Sequence, residues 1–237
     1  MAAIIGMKEI DAMMTSYTVD EKVRPKGDMF KKKARKENAS IVFEDEASFR
    51  QSPTLHRTWA VQGRQPHVRT RGQRNTQKIL AGVNLHDGHF AYRHQTEYFN
   101  AETYRSFLDE VLLPAFYRRR HRVYLIQDNA SYHKKPEVYE WFKKHRKHIE
   151  VFLLPPYWPE LNATERVWNY TRKDATHNRY FDTPEDLCAS LFTTSGDIQR
   201  CPEKLLGLLR PFFQAPVVGL FVRGYIPASL RSDYPAD

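Results

Sequence analysis

Three carboxylates occupy positions where acidic side chains can bind metal ions. Asp45 ends an apolar stretch at 41–45, Asp128 directly follows another at 123–127, and Glu165 comes after a proline-rich segment. A charged group at the end of a buried strand loses hydration, and a divalent cation with oxygen ligands offsets that cost. The three acids therefore predict metal-dependent chemistry.

The surrounding pattern predicts the elements that position these acids. An Asp-Gly pair separates two strand-like runs, which indicates a hairpin. Strands then alternate with helices, which implies a parallel portion of the sheet, because parallel neighbours need crossover connections. We expect an α/β fold of ribonuclease H-like layout, with three antiparallel strands, then parallel strands, and flanking helices. The predicted strands are 41–45, 78–85, 89–94, 123–127 and 149–154. One predicted helix begins at Asn100 and should be kinked by Pro114, and a second begins at Pro136.

Composition and charge restrict the kinds of partner that the protein is expected to bind. The 237 residues are 41% hydrophobic, and no apolar stretch approaches the roughly 20 residues that span a bilayer, so we expect a soluble protein without a membrane partner. Two cysteines and the lack of a secretory signal favour the cytoplasm. The net charge of +9 favours a polyanion. Each basic run alone is more typical of a solvated surface, but beside an acidic site the runs favour DNA. The candidate DNA contacts among them are Arg69, Arg71, Arg74, Arg118, Arg119, Arg120, Arg122, Lys143 and Lys144.

Four ordered motifs resemble the IS630 family of bacterial transposases, which are relatives of the Tc1/mariner DDE enzymes. The resemblance covers roughly residues 40–175. Trp158 stands where the family has a small residue, and Ala163-Thr164 stands where it has proline and an aliphatic residue. The motifs are 43–46; 57–60 with Gly63; 128–130 with His133; and 154–157 with 159–162, Glu165 and Trp168.

The resemblance implies a catalytic triad of Asp45, Asp128 and Glu165, with 36 residues between the last two. It also implies two Mg²⁺ ions, for which Mn²⁺ substitutes, with Asp45 bridging both. The implied reaction hydrolyses one strand at an element end and joins the 3′-hydroxyl to target DNA, at a TA dinucleotide by family habit. The implied working form is a homodimer on paired DNA ends, in the cytoplasm near the nucleoid.

Simpler roles compete for each site residue. Glu165 has capping-box spacing from Asn162, and Asp128 could start a turn with Asn129. Glu46 competes with Asp45, although strand alternation lets only one of them face the site. Glu46, Asn129 and His133 are candidates to contact and orient the metal ligands without binding the metal themselves. His133 is equally well explained as a structural residue.

Four aromatic residues near the motifs invite a base-stacking interpretation. We expect Trp59 and Trp168 to pack in the core instead. Tyr157 and Trp158 remain candidate DNA contacts, because Pro155, Pro156 and Pro159 stiffen their loop.

The predicted organisation has three parts. Residues 1–39 form a short lead-in, 40–176 the catalytic domain, and 177–237 a C-terminal helical extension and tail. The lead-in is too short for the helix-turn-helix modules usual in the family, so a separate or frameshift-fused part could supply them. The alternative function is a non-catalytic DNA-binding fragment that regulates a full-length transposase. A ribonuclease H-like nuclease acting on branched DNA or RNA–DNA hybrid is a third possibility, which the 128–130 motif and the proline-rich loop disfavour.

Overall fold

A mixed sheet of six strands forms the centre of the protein. The computed structural model describes residues 27–70, 72, 74–95, 98–119, 121–154, 162–214 and 222–223. The strands are β1 Ala39–Arg50, β2 Thr76–Asn84, β3 Phe90–Gln95, β4 Arg122–Gln127, β5 Ile149–Leu153 and β6 Val222–Arg223. The helices are α1 Gly27–Lys36, α2 Ala101–Phe107, α3 Leu113–Phe116, α4 Pro136–His145, α5 Ala163–Thr171, α6 Pro184–Arg200 and α7 Pro202–Gln214.

The strand order β3-β2-β1-β4-β5-β6 confirms the predicted fold class. Strands β1, β2 and β3 are antiparallel neighbours, whereas β4 runs parallel to β1 and β5 runs parallel to β4. The short β6 adds an antiparallel pair at the far edge. Strand β4 thus lies beside β1, with Phe43 opposite Ile126.

The prediction that β1 ends at Asp45 was wrong. The strand continues to Arg50, and the β1–β2 ladder pairs Asp45 with Ala81 and extends to Arg50 opposite Thr76. Pairing with β4 stops earlier, at Phe43. The backbone beyond Phe43 therefore keeps its strand through β2 alone, which leaves Asp45 inside a strand and beside the end of β4.

The two faces of the sheet carry separate apolar clusters. On one face Phe43 and Ile126 pack with Trp168 of α5 and with residues of α6 and α7, including Leu191. On the other face the cluster combines sheet residues such as Leu125 with side chains of α2, α3 and α4. Trp168 is 1% exposed, which confirms its predicted place in the core.

The hairpin and the helix after it form as predicted. Gly88 has a φ of 68°, and a Cβ there would lie 2.5 Å from the Pro202 carbonyl oxygen, so the turn requires glycine. Asn100 caps α2 in a reciprocal pair with Thr103. Where Pro114 was expected to kink the helix, a π-helical turn at Leu108–Leu112 joins α2 to α3. Proline lacks an amide hydrogen, and such a turn reorganises the hydrogen-bond ladder around it.

A long excursion connects β1 to β2. The two backbone ends meet where the Gln51 N–H donates to the Asn75 carbonyl at 2.9 Å. Between them Trp59 is 100% exposed, so the prediction that Trp59 packs in the core was wrong. The excursion leaves the sheet at once, and the described side chains around Trp59 are exposed to solvent as well, so this indole has no apolar cluster to join.

The helices of the described ranges include none with both the length and the apolar composition that crossing a lipid bilayer requires.

Candidate active site and metal centre

Asp45 and Asp128 are electrostatic neighbours near the end of β4. The last pair of the parallel β1–β4 ladder is Phe43 with Ile126, and each acid follows two residues later in its own chain segment. Burial, together with the negative charges of Glu46, Asp128 and Glu165, raises the pKa of Asp45 to about 8. Asp128 and Glu165 are therefore each close enough to Asp45 to disfavour its charge, which is the condition that a bound cation relieves.

Helix α5 holds the Asp45 carboxylate. The Trp168 indole Nε1–H donates to Asp45 Oδ2 at 3.1 Å, and the Thr164 hydroxyl, whose one hydrogen is shared with Asn162 Oδ1, lies 3.2 Å from the same Asp45 oxygen. Asp45 is 8% exposed, so these two donors replace much of its lost hydration. The pair of bonds fixes α5, and with it Glu165, against β1.

Glu165 lies in the first turn of α5 and is half-buried. The Asn162 side chain caps the helix by accepting from the Thr164 N–H at 3.2 Å, rather than through the alternative capping box with Glu165. Within the described ranges, no hydrogen bond or ion pair occupies the Glu165 carboxylate. Its oxygens thus remain available to a ligand.

Asp128 is held in its ionised form. Burial alone would raise its pKa, but the hydrogen bond and charge of His133, the Ala130 N–H and the charge of Lys134 together lower it. The Ala130 N–H donates to Asp128 Oδ1 at 2.8 Å, and His133 Nδ1 lies 3.2 Å from the same oxygen. The Asp128 side chain therefore forms the expected turn with the backbone, and because Oδ1 alone makes both contacts, Oδ2 is left for the predicted role of a metal ligand.

Glu44 and Glu46 face away from Asp45, as strand alternation requires. The Tyr132 hydroxyl donates a hydrogen bond to Glu46. Burial raises the pKa of Glu46, although the charge of His133 acts to lower it. Glu44 is fully buried, and the sequence reasoning missed it. Its local sequence gives no signal of this burial, because Asp45 and Glu46 follow Glu44 directly.

The spacing of possible ligand atoms distinguishes the group of Glu44, Glu46 and His133 from the three predicted acids. Glu44, Glu46 and His133 each offer a ligand atom, and these atoms all lie within 4.8 Å of one another. No second group of three His, Cys, Asp or Glu side chains meets that spacing in the part of the chain that the structure describes. Asp45, Asp128 and Glu165 are thus neighbours that remain farther apart.

The predicted DNA contacts divide by their surroundings. Arg69, Arg74, Arg118, Arg119 and Lys144 are exposed, while Lys143 is half-buried. Arg122 instead forms ion pairs with Glu37 at 3.0 Å and with Glu150 at 3.3 Å. Arg71, Arg120, Tyr157 and Trp158 lie outside the described residues.

A family model described as "DDE superfamily endonuclease" matches residues 40–188, a segment that contains all three predicted acids. The curated relative "Insertion element IS630 uncharacterized 39 kDa protein" of Shigella sonnei is 32% identical over 139 residues, which are 58% of this chain and 39% of that protein. "Uncharacterized protein y4pE/y4sA" of Sinorhizobium fredii (strain NBRC 101917 / NGR234) is 30% identical over 84 residues, 35% of this chain and 58% of that protein. The chain thus spans less than two thirds of the length of each relative.

Two solved structures share the fold. A Mos1 transposase paired-end complex with left transposon end matches with a TM-score of 0.51 and 15% identity, over 86% of this chain and 71% of that chain. A mariner Mos1 paired end complex with Mg matches with a TM-score of 0.50 and 23% identity, over 72% of this chain and 53% of that chain. At these identities the likeness concerns the fold, and it agrees with the mixed sheet predicted from the sequence.

Proposed function

This chain belongs to the DDE superfamily of endonucleases, and from that membership we propose that it is the catalytic domain of an IS630-type transposase. The proposed reaction hydrolyses a phosphodiester at an element end and then transfers the exposed 3′-hydroxyl to target DNA, with TA as the proposed target. The observation that carries the proposal is the placement of Asp45, buried between the end of β4 and the first turns of α5, with Asp128 and Glu165 as its acidic neighbours.

The donor set suits hard divalent cations. Asp45, Asp128 and Glu165 offer carboxylate oxygens, which Mg²⁺ prefers, and the repulsion of Asp45 by the other two acids favours positive charge beside it. We propose that these three residues hold two Mg²⁺ ions and that Mn²⁺ substitutes for them. When bound, such ions polarise the scissile phosphate, lower the pKa of the attacking hydroxyl and stabilise the leaving oxygen.

The protein's own residues fix the acids before substrate arrives. Trp168 and Thr164 orient Asp45, while His133 and the Ala130 N–H hold Asp128 ionised. Glu165 lies at the N-terminal end of α5, where the aligned backbone dipoles favour its negative charge. Preorganised carboxylates of this kind need little rearrangement when cations and DNA bind.

Binding of double-stranded DNA belongs to the same proposal. The exposed Arg69, Arg74, Arg118, Arg119 and Lys144 supply charges that can neutralise phosphates. We also propose a homodimer on paired ends, acting in the cytoplasm near the nucleoid with a separate or fused helix-turn-helix part that recognises the ends.

Nicking of supercoiled plasmid in Mg²⁺ or Mn²⁺ tests the activity. We expect wild-type protein to nick, and Asp45→Asn, Asp128→Asn and Glu165→Gln each to reduce nicking to the level seen in EDTA. Glu140→Gln on α4 is the matched control, because its carboxylate is exposed and is not one of the predicted site residues. Circular dichroism confirms that each variant is folded.

Two results would contradict the proposal. If the variants of Asp45, Asp128 and Glu165 nick plasmid as fast as wild type, these three residues do not form the catalytic site. Retained DNA binding without nicking, even after fusion to an end-binding module and with a matching DNA end, would favour the non-catalytic regulator.

A further inference from the structure

A second polar cluster lies behind the proposed catalytic acids, on the opposite face of β1. Its members are Glu44, Glu46 and His133, with the Tyr132 hydroxyl bound to Glu46. The Glu44 side chain is 0% exposed and that of His133 is 1% exposed. Such burial is costly for polar groups unless something satisfies them.

Four buried polar atoms of this cluster have no hydrogen-bond partner in the described structure. They are both carboxylate oxygens of Glu44, Oε2 of Glu46 and Nε2 of His133. Nearly all buried polar atoms in folded proteins are satisfied, so four such atoms in one place indicate a missing partner. Among the described residues, no lysine or arginine forms an ion pair with Glu44 or Glu46, so His133 is the one basic side chain there that lies beside both acids.

His133 is oriented as a metal-ligating histidine would be. Its Nδ1 lies 3.2 Å from Asp128 Oδ1, and its Nε2 lies 4.0 Å from Glu44 Oε2. Histidines that bind metals commonly donate one ring N–H to a carboxylate, which leaves the other nitrogen free to coordinate. Here Asp128 takes the donor position and Nε2 is the free nitrogen, aimed into the cluster.

We propose that Glu44, Glu46 and His133 form an additional cation site, distinct from the Asp45, Asp128 and Glu165 site. One imidazole nitrogen with two carboxylates suits a divalent transition-series ion such as Mn²⁺ or Zn²⁺ better than Mg²⁺. The proposed role of the ion is structural. An ion bound by His133 Nε2 would fix the imidazole ring, and the contact of His133 Nδ1 with Asp128 Oδ1 would in turn fix the Asp128 carboxylate.

The nitrogen ligand makes the proposal testable without measuring DNA cleavage. The full chain without an affinity tag carries Asp45→Asn and Glu165→Gln, which weaken the catalytic site and leave the cluster and Asp128 intact. This protein is loaded with Mn²⁺, freed of excess metal by gel filtration, and examined by pulsed electron paramagnetic resonance for coupling to ¹⁴N. We expect about one Mn²⁺ per chain, coupled to one imidazole nitrogen as the single-histidine ligand set requires.

Adding Glu44→Gln or His133→Gln to that background should lower bound Mn²⁺ at least about tenfold and remove the ¹⁴N coupling. His56→Gln is the matched control, because His56 stacks on His177 at 4.7 Å and this pair is another place where Mn²⁺ can meet imidazole. The control should change neither occupancy nor coupling.

Failure to retain nitrogen-coupled Mn²⁺, or coupling that survives His133→Gln, overturns the proposal in favour of a proton shared within the cluster. If His133→Gln does not fold, the isosteric Glu44→Gln decides the question. Because cleavage is never measured, failure of this site and failure of the transposase activity are separate results.

Discussion

The indole N–H of Trp168 donates to Asp45 Oδ2 at 3.1 Å, across 123 residues of sequence. This bond joins the helix that carries Glu165 to the strand that carries Asp45. Trp168 is otherwise enclosed by the apolar cluster, with the Phe49 ring packed edge-to-face at a centroid distance of 6.0 Å. Packing therefore sets the position of the indole ring, and its N–H is the hydrogen-bond donor to Asp45.

Replacing Trp168 by Phe should keep most of the packing and remove the donor. We expect metal-dependent nicking to fall by about 10–100-fold, as it does when groups that orient metal ligands are removed, together with a weaker apparent affinity for Mg²⁺. A Mg²⁺ titration of the nicking rate measures both effects. Trp141→Phe is the matched control, because its indole donates to Asp109 on the opposite face. Equal losses in the two variants would show that general destabilisation is the cause.

The metal-free protein should lose stability as the pH rises. Asp45 has a pKa of about 8 in the folded state against 3.8 as the ordinary value, so the folded state binds the proton more tightly. The free energy of unfolding contributed by this group therefore falls between about pH 4 and pH 8, by at most about 6 kcal/mol at about 1.4 kcal/mol for each pKa unit.

Urea unfolding in EDTA across this pH range checks that expectation. Asp45→Asn should match wild type near pH 4 and exceed its stability near pH 8, whereas the exposed Glu140→Gln should follow wild type throughout. Saturating Mg²⁺ should restore wild-type stability at pH 8, because a bound cation favours the charged carboxylate. A wild-type curve that is no steeper than that of Asp45→Asn would contradict the prediction.

Two glycines should respond oppositely to alanine. A Cβ on Gly82 in β2 would lie 2.9 Å from a ring carbon of Phe116 and 3.3 Å from a methyl of Val42, so Gly82→Ala should cost about 1–3 kcal/mol through overpacking. A Cβ on Gly207 in α7 would meet nothing within 4 Å, so Gly207→Ala should add up to about 1 kcal/mol. Urea unfolding compares them, and Phe116→Leu should partly rescue Gly82→Ala. Equal stability of the two alanine variants would refute this account of the packing.

Arg118 and Arg119 should contribute to DNA affinity, whereas Arg122 should contribute to stability. Converting both exposed arginines to glutamate should weaken binding and reduce the slope of log affinity against log salt by about 0.9 for each phosphate that is no longer neutralised. Arg122→Gln removes the ion pairs to Glu37 and Glu150, so it should lower the unfolding midpoint and leave the slope unchanged. Fluorescence anisotropy on duplex DNA at several salt concentrations measures the slope. An unchanged slope in the double variant would make these arginines a plain solvated surface.

Local patterns were enough to predict much of the sheet. The stretch 123–126 is a continuous apolar run because β4 is buried on both faces, and Asp128 follows shortly after it. After Asp45, buried Ala47 and Phe49 alternate with exposed Ser48 and Arg50, a pattern typical of a half-buried strand. The prediction, however, followed only the continuous apolar run that ends at Phe43. The candidate site itself, with the roles of Asp45, Asp128 and Glu165, remains a prediction that the proposed variants test.

The remaining features depend on contacts between distant parts of the chain. Glu44 is inaccessible because side chains such as Tyr104 and His133 cover its face of the sheet, and the sequence around Glu44 does not reveal this. Trp59 is exposed although tryptophan is usually buried, because its segment leaves the sheet at Gln51 and returns at Asn75. Hydrophobic pattern alone distinguishes neither case.

The bonds from Thr164 and Trp168 to Asp45 span 119 and 123 residues, which has a consequence for protein synthesis. While a ribosome is still making the chain, Asp45 emerges long before its two hydrogen-bond donors, and Glu165 emerges between them. A polypeptide whose translation stops before α5 therefore has β1 and β4 but lacks the last acid and both donors. On the proposed function, prematurely terminated products cannot cut the genome that encodes them.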